Sequence, residues 1–320
     1  MSLHTLPDEI LLDIWNGLAS THSMNSYIRS SQRFHQIFNG SLYRHALQTP
    51  RRLKKAMEWV GKHGSIDALR RFIEELGAAK VIHDPTITPL FAAAEYGQDG
   101  LVRFLIKQGI NLNLQRDDHY TEFLAIGVAA KHGRESTVIL LFDAGADIEG
   151  RNDSRSALLA ATENGHDDIV KFLIKKGARQ VSADGDQNAL CCALKGNCSI
   201  DVIRLLLNEN QPPELLDRLG EYDRTPLGIA AEEGNIEAAK LLLAAGARVD
   251  AGYHLYPLLL AIAERRVAMA RFLIVEAGAY VGRPGNHSGA LARARKMGLD
   301  DIVQLLVERA AGLFPSRAEE

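Results

Sequence analysis

The 320-residue sequence predicts an all-α fold, an array of about eight stacked helix–turn–helix repeats joined by short hairpin loops. The first observation is a recurring segment, which reads TPLGIAAEEG from Thr225 and returns in similar form from Thr88 and from Ser156. The second is the apolar run that follows each copy and ends in glycine, as in LLLAAG from Leu241. The third is the spacing of a little over thirty residues, which is typical of units that bury their apolar faces only by stacking on neighbours.

The copies align on one apolar residue, the third position of the Thr-Pro-Leu pattern, which we call the anchor. The eight anchors are Met57, Leu90, Ile126, Leu158, Leu190, Leu227, Leu258 and Leu291. Successive anchors lie 31 to 37 residues apart. Glycine recurs seven residues after the anchor in six copies, whereas Arg265 stands there in the seventh copy. The fifth copy carries an extra residue around positions 196–198.

Each position of the repeat has a physical reason. Proline suits the first turn of a helix, where its missing N–H would have no partner. A small residue three positions after the anchor lets two helices approach closely, and the glycine ends the first helix in a left-handed turn. The apolar run then forms the buried stripe of a second helix. This pattern resembles the ankyrin repeat over residues 51–312, and the resemblance implies a solenoid whose groove binds other proteins.

The N-terminal segment does not fit the repeat. Pro7 suits the first position of a helix, and Asp8 and Glu9 suit its first turn, where the helix dipole favours negative charge. The apolar residues that follow on one helical face are Ile10, Leu11, Ile14, Trp15 and Leu18. We therefore expect a small helical domain over residues 1–48, then the array over 51–312 and a disordered tail over 313–320.

The same segment resembles an F-box over residues 5–47. The resemblance rests on the run Leu6-Pro7-Asp8-Glu9-Ile10-Leu11 and on the Arg33-Phe34 pair. Together the two resemblances are those of an F-box/ankyrin protein of the fungal type. They imply a contact with the Skp-type adaptor of a cullin ubiquitin ligase, made by Leu6, Pro7, Ile10, Leu11 and Ile14. Alternatively, these apolar residues only cap the first repeat.

Composition points to a soluble chain of the cytoplasm or nucleus. Apolar residues make up 46%, the net charge is −3, and no run approaches the roughly 18 apolar residues of a membrane span. No basic-then-apolar signal sequence opens the chain. Its three cysteines, Cys191, Cys192 and Cys198, fall within one repeat, which argues against a secreted disulfide scaffold.

The sequence offers no constellation for a catalytic, cofactor or metal site. The cysteines lack paired Cys-x-x-Cys spacing, so we expect buried thiols in a helix hairpin. The glycine-rich stretch 282–289 lacks the Gly-Lys-Ser/Thr of a phosphate loop and predicts a widened hairpin. We expect His166 to tie down the next hairpin, and His63 and His132 to face the groove. The basic run 51–55 is predicted to be a solvated face, so nucleic acid is not an expected partner.

The groove is expected to be lined by the residues five and six positions after each anchor and by the hairpin tips. Arg and aromatic side chains there are favoured interface anchors. The candidate target-binding residues are Tyr96, Tyr120, His132, Arg155, Glu163, Tyr222, Arg224, Glu232, Glu233 and Tyr253. Because these positions become acidic in the sixth and seventh copies, a partner with a basic segment is expected.

These patterns predict a monomeric, non-catalytic substrate receptor of a cullin-type (SCF) ubiquitin ligase, without nucleic-acid or membrane partners. A plain ankyrin scaffold with capping N-terminal helices is the alternative. A catalytic activity housed in the groove is a third hypothesis, which a bound metal or cofactor would support.

Overall fold

A computed structural model of the chain describes residues 50–78, 81, 84, 88–114, 124–149, 156–181, 188–208, 216–217, 224–252, 256–281 and 289–311. The F-box-like segment, with Leu6, Pro7, Ile10, Leu11 and Ile14, lies outside these residues, as does the predicted tail. Within them the regular structure is helical, apart from an isolated antiparallel bridge between Val181 and Asn188. The all-α prediction is confirmed.

The described helices come in pairs, a first helix followed after a short turn by a second. The pairs are α1 (Pro50–His63) and α2 (Ile66–Leu76), α3 (Leu90–Tyr96) and α4 (Asp99–Lys107), α5 (Ala125–Lys131) and α6 (Glu135–Asp143), α7 (Ala157–Glu163) and α8 (Asp167–Lys175), α9 (Ala189–Lys195) and α10 (Ile200–Asn208), α11 (Pro226–Glu233) and α12 (Ile236–Ala244), α13 (Pro257–Ala263) and α14 (Val267–Val275), and α15 (Ala290–Lys296) and α16 (Asp300–Ala310). The chain divides into two compact units, Met1–Asn111 and Leu112–Glu320.

The described part of the first unit consists of two stacked helix pairs. Helix α1 packs on α3, and α2 packs on α4. The first helices approach so closely that a methyl group added at Gly61 would lie 2.5 Å from the Cβ of Ala92. Met57 and Val60 on α1 are completely buried. Small residues at the crossing are therefore a steric requirement of the stack.

The described part of the second unit stacks six helix pairs in two layers. The first helices pack in chain order, from α5 on α7 through to α13 on α15, and second helices pack beside them, as α6 does on α8 and α14 on α16. Within this unit, pairs that are adjacent in the chain contact each other, which is the geometry of a solenoid. The predicted array of stacked repeats is confirmed.

Burial follows the predicted register. The anchors of the first seven repeats, from Met57 to Leu258, are at most 2% exposed. The residues three positions after the anchors, from Val60 to Ala294, are completely buried. The last anchor, Leu291, is only half-buried, because no described helix packs on the outer face of α15. Each internal repeat thus buries its anchor against a neighbour.

The turn after each first helix has one conformation in all eight repeats. The residue seven positions after the anchor has a positive φ everywhere, including 54° at Asn197 and 56° at Arg265. Arg265 therefore adopts the left-handed turn that glycine adopts in six other repeats. Helix α10 begins ten residues after its anchor, whereas α8 begins nine residues after its own, which confirms the extra residue of the fifth repeat.

Gly196 lies one residue before that turn, and its conformation does not require glycine. Its φ is −74°, which any residue adopts. A Cβ at this position would instead overlap the carbonyl oxygen of Thr162 in the preceding repeat. The close approach of two backbones excludes a side chain at Gly196.

Side chains just after the turn donate to main-chain carbonyls of the preceding repeat. Gln98 Nε2 donates to the carbonyl of Lys62 at 2.8 Å, and Arg266 Nε donates to the carbonyl of Glu232 at 2.8 Å. These acceptors lie in the last turns of first helices, where carbonyls lack a partner within the helix. The bonds therefore satisfy the helix ends and join successive repeats.

His166 makes the same kind of bond. Its Nε2 lies 3.0 Å from the carbonyl oxygen of Lys131, and its ring covers the turn at Gly133. The prediction that His166 ties down the next hairpin is therefore wrong, since its ring contacts the preceding repeat. The reason is that the unsatisfied carbonyls at the end of α5 are the acceptors within its reach.

The loops between repeats are joined by a second set of bonds. The Glu149 carboxylate accepts from the backbone N–H of Arg179 at 2.6 Å and from its Nε at 3.1 Å. Asp217 accepts from the backbone N–H of Arg248 at 2.9 Å and from its Nε at 2.8 Å. Each bond spans about one repeat, so acidic loop residues align neighbouring loops.

Replacing Leu227 by alanine tests the stacking register. Leu227 is 1% exposed, so Leu227→Ala opens a cavity between helices and should lower the free energy of unfolding by about 2–5 kcal/mol. Urea denaturation followed by circular dichroism measures the change. Glu233→Ala on the exposed end of the same helix is the control and should change it by less than about 0.5 kcal/mol. Equal losses would contradict the register.

Candidate protein-binding surface

Six of the ten candidate groove residues lie within the described parts of the chain. Tyr96 belongs to the first unit, and His132, Glu163, Arg224, Glu232 and Glu233 belong to the second. The other four, Tyr120, Arg155, Tyr222 and Tyr253, lie outside the described residues. The six share a position at the ends of first helices or directly before one.

Tyr96 is the last residue of α3 and presents an aromatic ring to solvent. It is 41% exposed, and Lys62 Nζ lies 5.1 Å from its ring centroid. A cation over a ring face is attracted by the ring quadrupole. The ring is thereby held in place while its remaining surface stays accessible.

His63 in the first unit was also expected to face the groove. Its side chain is exposed and packs on its own helix. Its Nδ1 lies 2.9 Å from the carbonyl oxygen of Trp59, and the two rings stack with centroids 4.5 Å apart. The imidazole of His63 is therefore held against Trp59 in the last turn of α1.

His132 and Glu163 lie at the ends of the adjacent helices α5 and α7. His132 is the exposed residue that caps α5. Glu163 is half-buried, and its Oε1 lies 4.0 Å from Sγ of Cys192 on α9. The Glu163 carboxylate therefore lies over the start of the next repeat.

Arg224 and Glu232 form an ion pair within the sixth repeat. Arg224 Nη1 lies 2.9 Å from Glu232 Oε2, and the two side chains are 26% and 19% exposed. Thr225 between them caps α11, because its Oγ1 accepts from the N–H of Gly228 at 3.1 Å. The carboxylate of Glu232 is thus neutralised by a residue at the other end of its own helix.

The charge of the last repeats differs from the sequence-based expectation. Glu233 and Glu264 are exposed, but they are followed by a set of exposed cations: Arg265, Arg266, Arg293, Arg295 and Lys296. With Glu232 paired, exposed cations outnumber exposed carboxylates at the ends of these first helices. A partner with a basic segment, as expected from the sequence, would meet more cations than carboxylates there.

Two signals in the sequence point to these cations. Arginine replaces glycine at the seventh turn, and the last first helix reads ALARARK. Arg293 and Arg295 stand at the repeat positions that Leu260 and Ile262 occupy in α13, where both are at most 4% exposed. Aligning α15 with α13 and asking which residues replace buried apolar positions would have identified these two arginines from the sequence.

The three cysteines of the fifth repeat are buried and unbridged, so the buried-thiol prediction is confirmed. Burial raises the pKa of the Cys191 thiol to about 12, although nearby Lys195 lowers it. Burial, together with the charge and hydrogen bond of Asp167, raises the pKa of Cys198 to about 12. Among the described residues, no group of three or more His, Cys, Asp and Glu side chains could hold a metal ion.

Within the part of the chain that the structure covers, no helix has the length and apolarity needed to cross a membrane.

A family model for "Ankyrin repeats (3 copies)" matches five overlapping stretches, which together extend from residue 56 to residue 285. The crystal structure of the human ASB11 ankyrin repeat domain superposes with a TM-score of 0.59 at 26% identity. The superposition covers 69% of this chain and 97% of that domain.

Similar sequences occur within larger proteins. Human transient receptor potential cation channel subfamily A member 1 is 31% identical over 243 residues, which is 67% of this chain and 20% of the channel. Its Caenorhabditis elegans homologue is 29% identical over 189 residues, 58% of this chain and 15% of that protein. The E3 ubiquitin-protein ligase XBAT32 of Arabidopsis thaliana is 28% identical over 165 residues, 51% of this chain and 30% of the ligase. The chain thus spans a fifth or less of the two channels.

A double-mutant cycle tests whether Glu232 is held by Arg224. Because both side chains are mostly buried, Arg224→Ala and Glu232→Ala should couple by about 1 kcal/mol in the free energy of unfolding. The exposed pair Lys171 and Asp168, 3.9 Å apart, is the matched control and should couple by less than about 0.5 kcal/mol. Coupling no larger than the control value would leave the Glu232 carboxylate available for a ligand.

The raised thiol pKa values predict protection from alkylation. At about pH 8 the thiols of Cys191 and Cys198 stay protonated and buried, so iodoacetamide should leave them unmodified until urea unfolds the chain.

Above about pH 9 the unfolded chain releases these protons while the folded chain retains them, so the free energy of unfolding should fall as pH rises. Mass spectrometry reads the first effect, and the double variant Cys191→Ala/Cys198→Ala should weaken the second.

Proposed function

The chain belongs to the ankyrin-repeat family, and from that premise we propose that it is a substrate receptor of a cullin-type ubiquitin ligase. The repeat surface would bind a target protein, and the N-terminal segment would bind the Skp-type adaptor. The proposal includes a monomeric chain of the cytoplasm or nucleus with no catalytic residues of its own.

The target-binding part is supported by the arrangement of the first helices. Ankyrin repeats are a protein–protein interaction module. Here the ends of the first helices carry exposed side chains such as Tyr96, His132 and Glu233. Side chain to main chain bonds fix these ends relative to the preceding repeat, as at Arg266 and Glu232. A rigid surface loses little conformational entropy when a partner binds.

The adaptor part is supported by the sequence of the first fifty residues. The run Leu6-Pro7-Asp8-Glu9-Ile10-Leu11 and the pair Arg33-Phe34 are F-box-like. A segment of about 45 residues is near the lower limit for a self-sufficient core, so its apolar residues need a surface to pack on. The similarity to the E3 ubiquitin-protein ligase XBAT32 over half the chain agrees with a role in ubiquitin transfer.

The proposed mechanism is proximity. A target bound to the repeats would be held close to the ubiquitin-conjugating enzyme that the cullin complex recruits. Tethering converts an encounter between two molecules into a step within one complex and raises the effective concentration of the target lysines. This role requires recognition surfaces at both ends of the chain and no chemistry from the chain itself.

Co-purification with the adaptor tests the proposal. The triple variant Leu6→Ala/Pro7→Ala/Ile10→Ala should lose the Skp-type adaptor from full-length protein, since it removes most of the assigned apolar contact. Its melting temperature should stay unchanged. The control Val267→Ala/Val275→Ala/Val307→Ala removes apolar groups that are 37–47% exposed on second helices and should retain the adaptor.

Two outcomes would contradict the proposal in different ways. Unchanged co-purification of the triple variant would falsify the assigned adaptor contact. A fall in melting temperature, with no adaptor bound by the unaltered chain, would establish the alternative scaffold whose N-terminal helices only cap the array.

A further inference from the structure

Two arginines in the seventh repeat are fixed by main-chain acceptors on either side of them. Arg265 Nη1 donates to the carbonyl of Met297 at 2.8 Å, and Arg266 Nε donates to the carbonyl of Glu232 at 2.8 Å. The stem of Arg266 lies over Gly234, where an added Cβ would come 3.0 Å from its Cδ. Both side chains are exposed, so each guanidinium is held by one bond and turns its remaining donors to solvent.

Three further cations lie on the neighbouring helix α15. Arg293, Arg295 and Lys296 are all exposed. The bond from Arg265 to Met297, the residue that follows α15, brings its guanidinium to the end of the helix that carries Lys296. We call Arg265, Arg266, Arg293, Arg295 and Lys296 the basic end surface.

Requirements of the fold explain only part of this surface. The helix dipole favours cations in the last turn of α15, and the outer face of a terminal repeat must be polar. Neither requirement explains an arginine with φ of 56° at a turn that glycine forms without strain in six other repeats. A residue kept in a strained conformation points to a function of its side chain.

The surrounding charges restrict the partner. Among the described residues, Glu233 and Glu264 flank the basic end surface, and Asp300 and Asp301 begin α16 beside it. The first helices of earlier repeats end in alternating charges, such as Glu163 and Lys195. A nucleic acid would need a basic track that continues along the array. A short cluster of guanidinium groups instead matches carboxylates, which accept two parallel N–H bonds from one arginine.

We propose that the basic end surface binds an acidic segment of the target protein, one in which several Asp or Glu side chains are clustered. The inference rests on the proposed binding role of the repeats and deepens it, but it is independent of the adaptor contact. Arg265 and Arg266 supply preorganised forks, while Arg293, Arg295 and Lys296 add attraction at longer range.

Fluorescence anisotropy with full-length protein and a labelled Glu-rich peptide tests this inference. The peptide should bind with an affinity that falls as salt is added. Arg265→Gly and the charge reversal Arg295→Glu/Lys296→Glu should each raise the Kd at least about tenfold. Arg265→Gly should change the melting temperature little, because glycine relieves the left-handed turn while the bond to Met297 is lost. This readout separates lost binding from lost folding.

The control is Arg271→Glu, a charge reversal at an exposed residue on α14 of the same repeat, which should change the Kd by no more than about twofold. Arg265→Gly should also co-purify the Skp-type adaptor as the unaltered chain does, so failure of this inference is distinguishable from failure of the adaptor contact. Absence of peptide binding, or an unchanged Kd in both variants, would overturn the inference. Tighter binding of a single-stranded oligonucleotide or an anionic lipid vesicle at the same residues would overturn it as well.

Discussion

The close stacking of first helices is the constraint on which the rest of this structure depends. A helix pair of this length has too little apolar surface to be stable alone, so each repeat must bury its anchor against the next. The approach is close enough that Gly61 and Gly196 have no room for a side chain. Residue size at the crossing, the left-handed turn and the bonds between repeats all follow from this distance.

The small residues at the crossing and the left-handed turn were predictable from the sequence because they are local and recur. The anchor, the small residue three positions later and the turn seven positions later keep a constant spacing. A clear copy of the repeat therefore fixes the alignment of the degenerate copies. The conformation of Arg265 was not predictable, since arginine alone does not favour positive φ. Arg265 adopts the turn at a position where all eight repeats have a positive φ. The contact of His166 was assigned to the following hairpin, whereas its ring contacts the preceding repeat, because the sequence alone does not show which carbonyls lie within its reach.

The candidate surface was predicted less well than the fold, because charge depends on pairing as well as on position. Glu232 was correctly placed at a helix end, but its partner Arg224 precedes the helix by two residues. Nothing in the spacing shows that an arginine there meets a carboxylate in the last turn. The cations of α15 are conspicuous only after the buried positions of α13 are known, since Arg293 and Arg295 take the places of apolar residues.

The bonds that hold the repeats together also shape the surface that they present. Arg266 satisfies the carbonyl of Glu232 with one N–H, and the rest of its guanidinium faces solvent. Arg265 relates in the same way to Met297. A side chain anchored in this manner loses less rotamer freedom on binding than a free lysine does, so more of its attraction to a carboxylate remains as affinity. The same main-chain acceptors thus join neighbouring repeats and hold these two guanidinium groups at the surface.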